Sequence, residues 1–521
     1  MDNKKNIILV GMPGAGKTYI GEKLSEKLKE FKFVDTDALI EKRLEMSVVE
    51  IFENRGEIAF RKEEDAVINE LINSEDKQII ALGGGAFRDK NIKLLKKNGV
   101  IFYLKAPINL LYERIKNEAT RPMFLNSDNV KIKLAKILEE REPNFLKANF
   151  IIEQDKYTTE ELLNYIIKEY EILKDCIDIL PSPVFITNGD FNSFEEKISQ
   201  YVSGKGLVLI DEKIEKLYGK RLQLKNYPRY VLKEGEAQKN IKNYEKIIDF
   251  AIQNKIERGD TLIAIGGGVT GDIGGFVAST YLRGINLLHV PTTLLACVDS
   301  SIGGKNGINT LRGKNLIGTF YQPKAIFCNL NFLLTLDDKQ FKTGMAEVLK
   351  YAFIEYSCNS ETEYNLLEYL EKNIEQIKSR DEKTIEEIVR ICVELKSYVV
   401  FKDEKEKGLR QILNFGHTYG HALEKISNYK LTHGEAVARG IIFAFELALK
   451  NRLISRKYFE RSMNLLKSYD LYTPIKSVNK KVVEVMELDK KIKNGKINFV
   501  LPFCPKTVEI MKINPQSFIH S

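Results

Sequence analysis

The chain has 521 residues, a length that predicts about three domains, each large enough to bury its own core. Its composition, 43% hydrophobic and 29% charged, is that of an ordinary globular protein, and its net charge of +8 is spread along the sequence. Without an arginine-rich arm or an aromatic-basic stripe, this charge argues against nucleic-acid binding; a solvated lysine-rich surface explains it, with weak support for small anionic substrates.

The cysteines and the apolar segments predict a cytoplasmic protein without membrane attachment. The six cysteines have no C-x-x-C spacing and no pairing pattern, as is typical of a reducing compartment. The first ten residues pass from MDNKK through an apolar run into a glycine loop, which leaves no room for a signal peptide. The most apolar later stretch, 262–282, is rich in glycine and contains Asp272, so it does not predict a membrane span.

The first part of the chain predicts a parallel sheet with flanking helices. Short apolar runs alternate with charged stretches of helical period, which is the pattern of βαβ units. These runs lie at 7–10, 79–82, 100–104 and 149–152. A closing amphipathic helix is predicted at 160–173, and CIDILPSP at 176–183 then brings two prolines. We therefore expect a domain over 1–173 and a linker over 174–183.

A second α/β domain is predicted over 184–338, and a mostly helical domain over 339–521. Strand candidates of the second domain lie at 207–210, 262–265, 287–290 and 325–328. Beyond about residue 339 the pattern is helical apart from an apolar run at 497–501.

A phosphate-binding loop is predicted near the start. Residues 11–18 read GMPGAGKT, which fits G-x-x-x-x-G-K-[ST], with an apolar strand before it and a helical pattern after it at 19–30. Such a loop turns backbone N–H groups toward phosphate oxygens at a helix N-terminus, while its lysine reaches the β- and γ-phosphates and its hydroxyl binds Mg²⁺. The nucleotide-binding residues are Gly11, Gly14, Gly16, Lys17 and Thr18.

Around this loop, residues 6–150 resemble shikimate kinase. The motifs that carry the resemblance are GMPGAGKT, FVDTD at 33–37, FRKEE at 60–64, LGGGAF at 82–87, RPM from Arg121 and REPNF from Arg141. The resemblance implies that Asp37 holds the shikimate hydroxyl that attacks the γ-phosphate, and that Arg61 and Arg141 grip the carboxylate.

The resemblance also implies that Arg121 closes over ATP and that Asp35 helps Thr18 to place magnesium. Gly83, Gly84 and Gly85 would bring backbone close to the substrate ring. Phosphoryl transfer needs mainly positioning and charge neutralisation, and bidentate arginines orient a planar carboxylate well. Lys17, Asp37 and Arg121 are the predicted catalytic residues of this domain.

Two alternatives stay open for the first domain. Another kinase of the same fold, such as gluconate kinase, is one, because two arginines placed for a carboxylate do not identify the acid. A regulatory nucleotide-binding module is the other; the arginine pair disfavours it, because a sensor needs the phosphate loop but not the acid-binding residues.

A second glycine-rich turn and a histidine cluster follow later in the chain. Residues 265–280, IGGGVTGDIGGFVAST, place a strand before a glycine-dense turn and a helix, which is the arrangement that seats a dinucleotide pyrophosphate, although it is not the G-x-G-x-x-G fingerprint. Three of the five histidines are His417, His421 and His433. Spacing alone favours His417 and His421 as metal ligands, because positions i and i+4 share a helix face.

Residues 207–503 resemble 3-dehydroquinate synthase. The motifs are GEAQK at 235–239, the run at 283–323, AEVLKYA at 346–352, the run at 396–424, HGEAV at 433–437 and LDKK at 488–491. The resemblance assigns zinc (or cobalt) to Glu347, His417 and His433 and leaves His421 to contact substrate. It places NAD on Glu236, Lys239, Gly266, Gly267, Gly268, Asp272, Thr292 and Thr293.

The same resemblance implies a set of cationic and polar residues for a substrate that carries phosphate and carboxylate. These residues are Arg283, Asp299, Lys305, Lys314, Asn315, Lys350, Lys396, Arg410, Asn414, His421 and Lys490; Lys305, Lys350 and His421 are also predicted to act in catalysis. Two departures from the family are visible: Asn306 stands where Thr is common, and only PVFITNGD precedes the first helix of this part.

Taken together, the motifs predict an α/β protein in which a P-loop kinase domain is fused to a Rossmann-like NAD-binding domain and a helical metal-binding domain. The resemblance implies a bifunctional enzyme of chorismate and aromatic amino-acid biosynthesis. One half would phosphorylate shikimate with ATP and magnesium. The other would convert 3-deoxy-D-arabino-heptulosonate 7-phosphate to 3-dehydroquinate and phosphate, with NAD regenerated in each turnover, and would pair as a homodimer.

The alternative for the second half is an NAD-dependent metal alcohol dehydrogenase such as glycerol dehydrogenase. A dehydrogenase accumulates NADH, whereas the synthase releases phosphate without net NADH. The two predicted reactions are not consecutive, so we expect no direct transfer of product between the sites.

Overall fold

The computed structural model describes residues 5–115, 130–173, 176–177, 182–222, 224, 227–360, 364–428, 430–475, 480–487 and 496–518. The chain divides into two compact units, Met1–Cys176 and Ile177–Ser521. Arg121 and Lys490, with the motifs RPM and LDKK, lie outside the described residues. Across the described ranges, every helix is too short or too polar to cross a membrane.

The first unit contains one parallel sheet and seven described helices. The strands are β1 Asn6–Val10, β2 Lys32–Asp35, β3 Gln78–Ala81, β4 Gly99–Lys105 and β5 Phe150–Glu153. The helices are α1 Lys17–Lys27, α2 Thr36–Leu44, α3 Val48–Asn73, α4 Asp89–Asn98, α5 Ile108–Ile115, α6 Val130–Phe145 and α7 Thr159–Leu173. The strand order is β2-β3-β1-β4-β5, with every pairing parallel.

Burial explains which strands the sequence predicted in this unit. β1, β3 and the first six residues of β4 are buried throughout, as expected for the central strands of a parallel sheet covered on both faces. The prediction missed β2, a half-exposed strand of four residues at the sheet edge. Because the strands are parallel, the segments that follow β1, β2 and β3 emerge at one edge of the sheet.

The second unit continues the numbering from the two-residue strand β6 Cys176–Ile177, which spans the unit boundary. Its strands are β7 Val184–Thr187, β8 Gly206–Asp211, β9 Arg229–Leu232, β10 Thr261–Gly266, β11 Asn286–Pro291, β12 Lys305–Thr310, β13 Gly313–Phe320, β14 Ala325–Asn329, β15 Ile497–Cys504 and β16 Thr507–Ile513. Its first helices are α8 Phe191–Tyr201, α9 Glu212–Tyr218, α10 Ile241–Gln253 and α11 Gly268–Thr280. The later helices are α12 Asp338–Cys358, α13 Leu366–Lys372, α14 Ile374–Lys378, α15 Glu382–Lys402, α16 His417–Ile426, α17 His433–Lys450, α18 Arg456–Ser468 and α19 Lys480–Glu487.

A seven-stranded sheet of order β6-β7-β14-β11-β10-β8-β9 forms the α/β part of this unit. The four predicted strands correspond to β8, β10, β11 and β14, and the pairings from β7 to β9 are parallel. The short PVFITNGD segment supplies β7, which pairs with β14. The antiparallel hairpin of β12 and β13 was not predicted, because its sequence is polar and rich in glycine.

The rest of the second unit is helical, as predicted, apart from the hairpin of β15 and β16. Its core is a continuous cluster of apolar side chains from α12, α15 and α17 together with the inner face of β15. The apolar run at 497–501 is the start of β15. This core fixes the helices that carry the histidine cluster.

Candidate active sites

The predicted phosphate loop connects β1 to α1 in the conformation that such loops require. Gly11, Gly14 and Gly16 have φ angles of 150°, 80° and 77°, a region that other residues rarely adopt. A Cβ at Gly14 would lie 2.7 Å from Ile115 Cγ2, so the loop also has no space for a side chain there. Lys17 lies back across the loop and donates to the carbonyl of Gly11 at 3.0 Å.

Thr18 and Asp35 meet beside this loop, as predicted for a magnesium site. The Thr18 hydroxyl donates to Asp35 Oδ2 at 2.6 Å. The other carboxylate oxygen, Oδ1, accepts the N–H groups of Asp37 and Ala38 and so caps α2. The cap fixes the carboxylate with one oxygen toward the hydroxyl, and these two oxygen ligands are the kind that Mg²⁺ takes beside a nucleotide.

The three glycines after β3 each face a different predicted substrate residue. A Cβ at Gly83 would lie 2.3 Å from Asp37 Oδ1, one at Gly84 would lie 3.3 Å from Arg141 Nη1, and one at Gly85 would lie 2.3 Å from Arg61 Nη1. The structure therefore brings Asp37, Arg61 and Arg141 together around one backbone segment. The absence of side chains at these glycines leaves the space that Asp37, Arg61 and Arg141 occupy against the backbone.

Two guanidinium groups share this cluster with carboxylates of the chain. Burial lowers the pKa of Arg141, and the nearby charge of Arg61 lowers it further. Arg61 is held by Glu64 at 2.7 Å and by Glu57 at 2.9 Å. Burial raises the pKa of Glu64, whose side chain is 1% exposed, although the charge of Arg61 opposes the shift. A carboxylate ligand would neutralise the two converging guanidinium groups.

Two residues that the motifs did not single out support the phosphate loop. Arg114 Nη1 donates to Gly14 O at 3.0 Å, and the Gln154 amide donates to Ala15 O. These contacts join positions 100 and 139 residues apart, so no local sequence signal identifies them.

The second glycine turn lies between β10 and α11. Gly267 is the N-cap of α11, and Thr292, after β11, donates its N–H to Gly266 O at 3.0 Å. A Cβ at Gly267 would lie 3.1 Å from Thr293 Cγ2, and one at Gly268 would lie 3.1 Å from Ser300 Oγ. The predicted cofactor residues on these two strands therefore adjoin one another at a helix N-terminus, where a pyrophosphate binds well.

The remaining predicted cofactor residues form an ionic group beside this turn. Lys239 Nζ lies 2.7 Å from Asp272 Oδ2 and 3.5 Å from Glu236 Oε1. Burial opposes the charge on Lys239, but the two carboxylates prevail and raise its pKa. Asn309, which the sequence did not single out, donates to Glu236 at 2.7 Å and accepts the N–H of Asn315 at 3.0 Å. Asn309 thus links the cofactor group to the hairpin of β12 and β13.

Glu347, His417 and His433 converge on one point in the helical part. The Nε2 atoms of His417 and His433 lie 3.4 Å and 3.2 Å from Glu347 Oε1, and the three ligand atoms are within 4.8 Å of one another. Glu347 is completely buried on α12. The histidines are the first residues of α16 and α17; Gly416 precedes His417 in a left-handed conformation, and a capping box of Thr432 and Glu435 starts α17.

This donor set fits a catalytic zinc ion, because one carboxylate and two imidazoles leave a coordination position open. His421 instead groups with Glu424 and His433 on the other side of the His433 ring. The geometry therefore favours the ligand set implied by the resemblance over the pair of His417 and His421 indicated by spacing. Burial opposes the charge on His433, but its interactions with Glu347 and Glu424 raise its pKa to about 10.

A buried ionic network lies next to this metal-binding group. Lys350 is 2.5 Å from Glu347 Oε2 and 3.6 Å from Asp299 Oδ1, which also pairs with Lys396 at 2.7 Å and accepts from Tyr351 at 2.9 Å. Burial disfavours the Asp299 carboxylate, but Lys396 and Lys350 hold its pKa well below its usual range. Burial lowers the pKa of Lys396 to about 8, although Asp299 opposes the shift. Asp299 lies in a π-helical turn, Ala296–Ser300, of the kind often found at functional sites.

Comparison with known proteins identifies both parts of the chain. Residues 229–343 match the family model described as 3-dehydroquinate synthase N-terminal, and residues 344–492 match 3-dehydroquinate synthase C-terminal. A 3-dehydroquinate synthase of Prochlorococcus marinus (strain MIT 9312) is 42% identical over 332 residues, which is 61% of this chain and 90% of that protein. One from Thermoanaerobacter sp. (strain X514) is 38% identical over 346 residues, 65% of this chain and 95% of that protein.

The chain belongs to the 3-dehydroquinate synthase family. Residues 13–171 match the family model for shikimate kinase, so a shikimate kinase domain precedes the synthase. The chain therefore carries two enzyme activities of the shikimate pathway, both acting on small molecules. These matches correspond to the predicted function and leave the dehydrogenase alternative without support.

Solved structures show the fold of the synthase part. ValA, a 2-epi-5-epi-valiolone synthase from Streptomyces hygroscopicus subsp. jinggangensis 5008 with NAD⁺ and Zn²⁺ bound, has a TM-score of 0.59 and 24% identity over 66% of this chain and 95% of that one. A 2-deoxy-scyllo-inosose synthase complexed with carbaglucose-6-phosphate, NAD⁺ and Co²⁺ has a TM-score of 0.57 and 25% identity over 65% of this chain and 97% of that one.

Most of the remaining predicted substrate residues of the synthase contact one another or this region. Lys305 pairs with Glu406, which also accepts from Asn414 at 2.6 Å. Arg410 donates to Gly303 O at 2.9 Å, in the loop before β12. Lys314 lies 3.2 Å from Glu424 Oε1. The hairpin and the segment 404–414 thus supply charged groups from both parts of the synthase.

Arg283 lies beyond the C-terminal end of α11. This end is about 20 Å along that 13-residue helix from the glycine turn, and the Arg283 side chain is exposed. Arg283 therefore lies well away from the glycine turn that is predicted to bind the cofactor.

Asn306 shows how the synthase accommodates its departure from the family pattern. Its amide donates to Gly304 O at 2.8 Å and to Tyr321 O at 2.9 Å. These two hydrogen bonds join the segments that precede β12 and follow β13. A Cβ at position 275 would lie 1.8 Å from Asn306 Oδ1, so Gly275 on α11 provides the space for the larger side chain.

Proposed function

We propose that the first unit transfers the γ-phosphoryl group of ATP to the 3-hydroxyl of shikimate. The observation that carries this proposal is the convergence of Asp37, Arg61 and Arg141 on the glycines after β3. Asp37 would orient the attacking hydroxyl, the two arginines would hold the carboxylate, and Lys17 would neutralise the transferring group. Thr18 and Asp35 would place Mg²⁺, and Arg121, outside the described residues, keeps its predicted role over ATP.

For the second unit, the proposal is conversion of 3-deoxy-D-arabino-heptulosonate 7-phosphate to 3-dehydroquinate and phosphate. The convergence of Glu347, His417 and His433 beside the Asp299 network carries this proposal. The three residues would hold Zn²⁺ or Co²⁺, and the Co²⁺ and NAD⁺ named for the 2-deoxy-scyllo-inosose synthase support this cofactor pair. When bound, the metal supplies Lewis-acid polarisation and NAD⁺ supplies reversible oxidation.

The chain's own groups would bind and orient the substrate in this second site. NAD⁺ would lie on the glycine turn, with Lys239, Asp272 and Glu236 beside it and Thr292 and Thr293 across it. The phosphate and carboxylate would meet the cationic set of Lys305, Lys314, Lys350, Lys396 and Arg410, while His421, Asn315, Asn414 and Asp299 contact hydroxyl or phosphate groups. Lys490 belongs to the same proposal but lies outside the described residues.

The synthase is proposed to act as a homodimer in the cytoplasm. On β13, Leu316, Ile317 and Phe320 are exposed, and Leu311 at the tip of the hairpin is fully exposed. Such an apolar surface on an open strand edge favours association with a second copy. Arg283, exposed at the far end of α11, is available to a neighbouring chain. Five cysteines are free thiols, which suits a reducing compartment: Cys297, Cys328, Cys358, Cys392 and Cys504.

The dimer is tested by the molar mass of the full chain in solution. Ile317→Lys places a charge on the exposed hairpin edge and is expected to give monomers in size-exclusion chromatography with light scattering. Ile58→Lys, at another exposed apolar position in the first unit, is the control. A dimer that survives Ile317→Lys places the interface elsewhere.

We further propose four segments along the chain. The kinase domain is 1–173, a linker is 174–183, the NAD-binding domain is 184–338 and the metal-binding domain is 339–521.

The decisive experiment measures each reaction on the full chain. Phosphate release from 3-deoxy-D-arabino-heptulosonate 7-phosphate with catalytic NAD⁺ should stop on metal chelation and return with Zn²⁺ or Co²⁺, while absorbance shows no accumulation of NADH. ADP formation should require shikimate. Net NADH would favour the dehydrogenase, and phosphorylation of gluconate in place of shikimate would reassign the kinase.

A further inference from the structure

In each histidine of the metal-binding group, Nδ1 lies near an oxygen atom of the chain. The two oxygens are of different kinds. His417 Nδ1 lies 3.0 Å from the carbonyl oxygen of Phe415. His433 Nδ1 lies 3.7 Å from Glu424 Oε2. In both rings the other nitrogen, Nε2, faces Glu347. One ring is therefore oriented by backbone and the other by a carboxylate side chain.

Glu424 is placed by α16 and is almost completely buried. It follows His421 by three positions and His417 by seven, so all three residues lie on one face of the helix. Its side chain is 5% exposed, and a buried carboxylate is costly unless cations or hydrogen-bond donors surround it. The lysine at 3.2 Å is Lys314, from β13 of the hairpin. Glu424 thus joins a residue of the helical part to a residue of the α/β part.

From these contacts we propose that Glu424 is a positioning residue of the synthase, which orients His433 toward the metal and Lys314 toward the substrate. The inference rests on the proposed metal ligands and on the proposed role of Lys314. When Nε2 of His433 binds metal, the ring proton lies on Nδ1, 3.7 Å from Glu424 Oε2. The attraction between that N–H group and the carboxylate would hold the ring in the orientation that presents Nε2 to the metal. Through its other oxygen the carboxylate holds the Lys314 ammonium group beside the same site.

A second metal position at His421, Glu424 and His433 is a weaker explanation of these contacts. The three residues do offer ligand atoms close together. However, Lys314 already occupies one oxygen of Glu424, and its ammonium charge would repel a cation bound there. The arrangement is therefore that of a partner to a ligand and to a substrate lysine.

The proposal predicts that metal affinity depends on a residue that does not touch the metal. Glu424→Gln keeps the shape of the side chain and removes its charge. Loss of a carboxylate behind a metal-binding histidine weakens metal affinity about 10-fold to 100-fold. We also expect KM for the phosphorylated substrate to rise, because Lys314 loses its partner.

The test is titration of the metal-stripped full chain with Zn²⁺ by calorimetry, without substrate. Wild type should bind one ion per chain, Glu347→Gln should lose binding, and Glu424→Gln should bind one ion at least tenfold more weakly. Glu446→Gln is the matched control: it removes a partly buried carboxylate from α17 and should bind Zn²⁺ as wild type does. Kinase activity of the first unit reports that each variant is folded in that unit, and thermal unfolding reports on the second.

The outcomes separate this inference from the proposed function. Equal Zn²⁺ affinity in wild type and Glu424→Gln, with binding lost in Glu347→Gln, overturns the role of Glu424 alone. Retention of binding in Glu347→Gln overturns the proposed ligand set. A change in stoichiometry from two ions to one in Glu424→Gln makes Glu424 a ligand and overturns the positioning role. If Glu424→Gln does not fold, Glu424→Asp keeps the charge one carbon shorter and should show the same loss of affinity.

Discussion

In both proposed sites, a few charged side chains lie close together in buried positions. Burial disfavours a charge, so the neighbouring side chains decide whether each group stays ionised. Arg61 and Arg141 converge in the kinase, and Lys350 and Lys396 share Asp299 in the synthase. Each pair is stabilised by carboxylates of the chain and can exchange part of that stabilisation for an anionic substrate.

The kinase glycines offer a matched pair of substitutions. Gly85→Ala places a Cβ 2.3 Å from Arg61 Nη1, so the guanidinium must move away from the carboxylate position. We expect KM for shikimate to rise at least tenfold while KM for ATP and the unfolding temperature change little, because the displaced atom is the flexible end of a side chain. Gly84→Ala, where the nearest atoms are 3.3 Å away, should have a smaller effect. Equal effects of the two substitutions on KM for shikimate would contradict the proposed role of Arg61.

The synthase should lose substrate affinity at alkaline pH because of Lys396. Burial lowers its pKa to about 8, so the charge that attracts an anion is present below that pH and is lost as pH rises through it. The value of kcat/KM, which reports groups of the free enzyme, should therefore fall above pH 8. In Lys396→Arg the side chain stays charged, and the fall should move to higher pH. An unchanged pH profile in this variant would assign the titration to another group.

At the scale of elements, the sequence predicted the strands and helices that have a clear local pattern of apolar residues. Continuous apolar runs identified the buried strands β1, β3, β4, β10 and β11, but the edge strand β2 and the glycine-rich hairpin of β12 and β13 lack such runs. The motifs likewise pointed to the residues that we propose to contact ligand. The sequence analysis did not single out Glu424, Asn309 or Arg114. Each of them contacts a residue more than 70 positions away in the chain, and no local spacing reveals such a contact.

The crossing of α16 and α17 sets the distance between the two histidines. A Cβ at Gly440 would lie 1.8 Å from Gly416 O, so the helices approach one another through bare backbone. We expect Gly440→Ala to separate them, with a loss of about 1–3 kcal/mol in unfolding free energy and weaker Zn²⁺ binding. Denaturant unfolding and calorimetry measure the two effects. Gly259→Ala, with no atom within 4 Å of the new Cβ, is the control and should change neither quantity. Unaltered Zn²⁺ affinity in Gly440→Ala would mean that the crossing does not fix the ligands.

At the scale of the whole molecule, two enzyme units share one chain, and the residues proposed for each site belong to one unit. Every kinase residue named above lies within Met1–Cys176, and every synthase residue lies within Ile177–Ser521. The reactions are not consecutive, so neither site consumes the product of the other. We therefore expect the fusion to serve matched expression or common assembly rather than direct transfer.

This separation predicts that each activity can be removed without the other. Lys17→Met takes away the ammonium group at the phosphate loop and should abolish phosphoryl transfer, because that group is the one proposed to neutralise the transferring phosphoryl group, while kcat and KM of the synthase stay within twofold of wild type. Glu347→Gln should abolish synthase activity and Zn²⁺ binding and leave the kinase unchanged. Both reactions are measured on the same preparations of full-length protein, so expression and folding are shared controls. A loss of both activities in either variant would show energetic coupling between the units, and would then give the fusion a regulatory role that the chemistry of the two separate sites does not require.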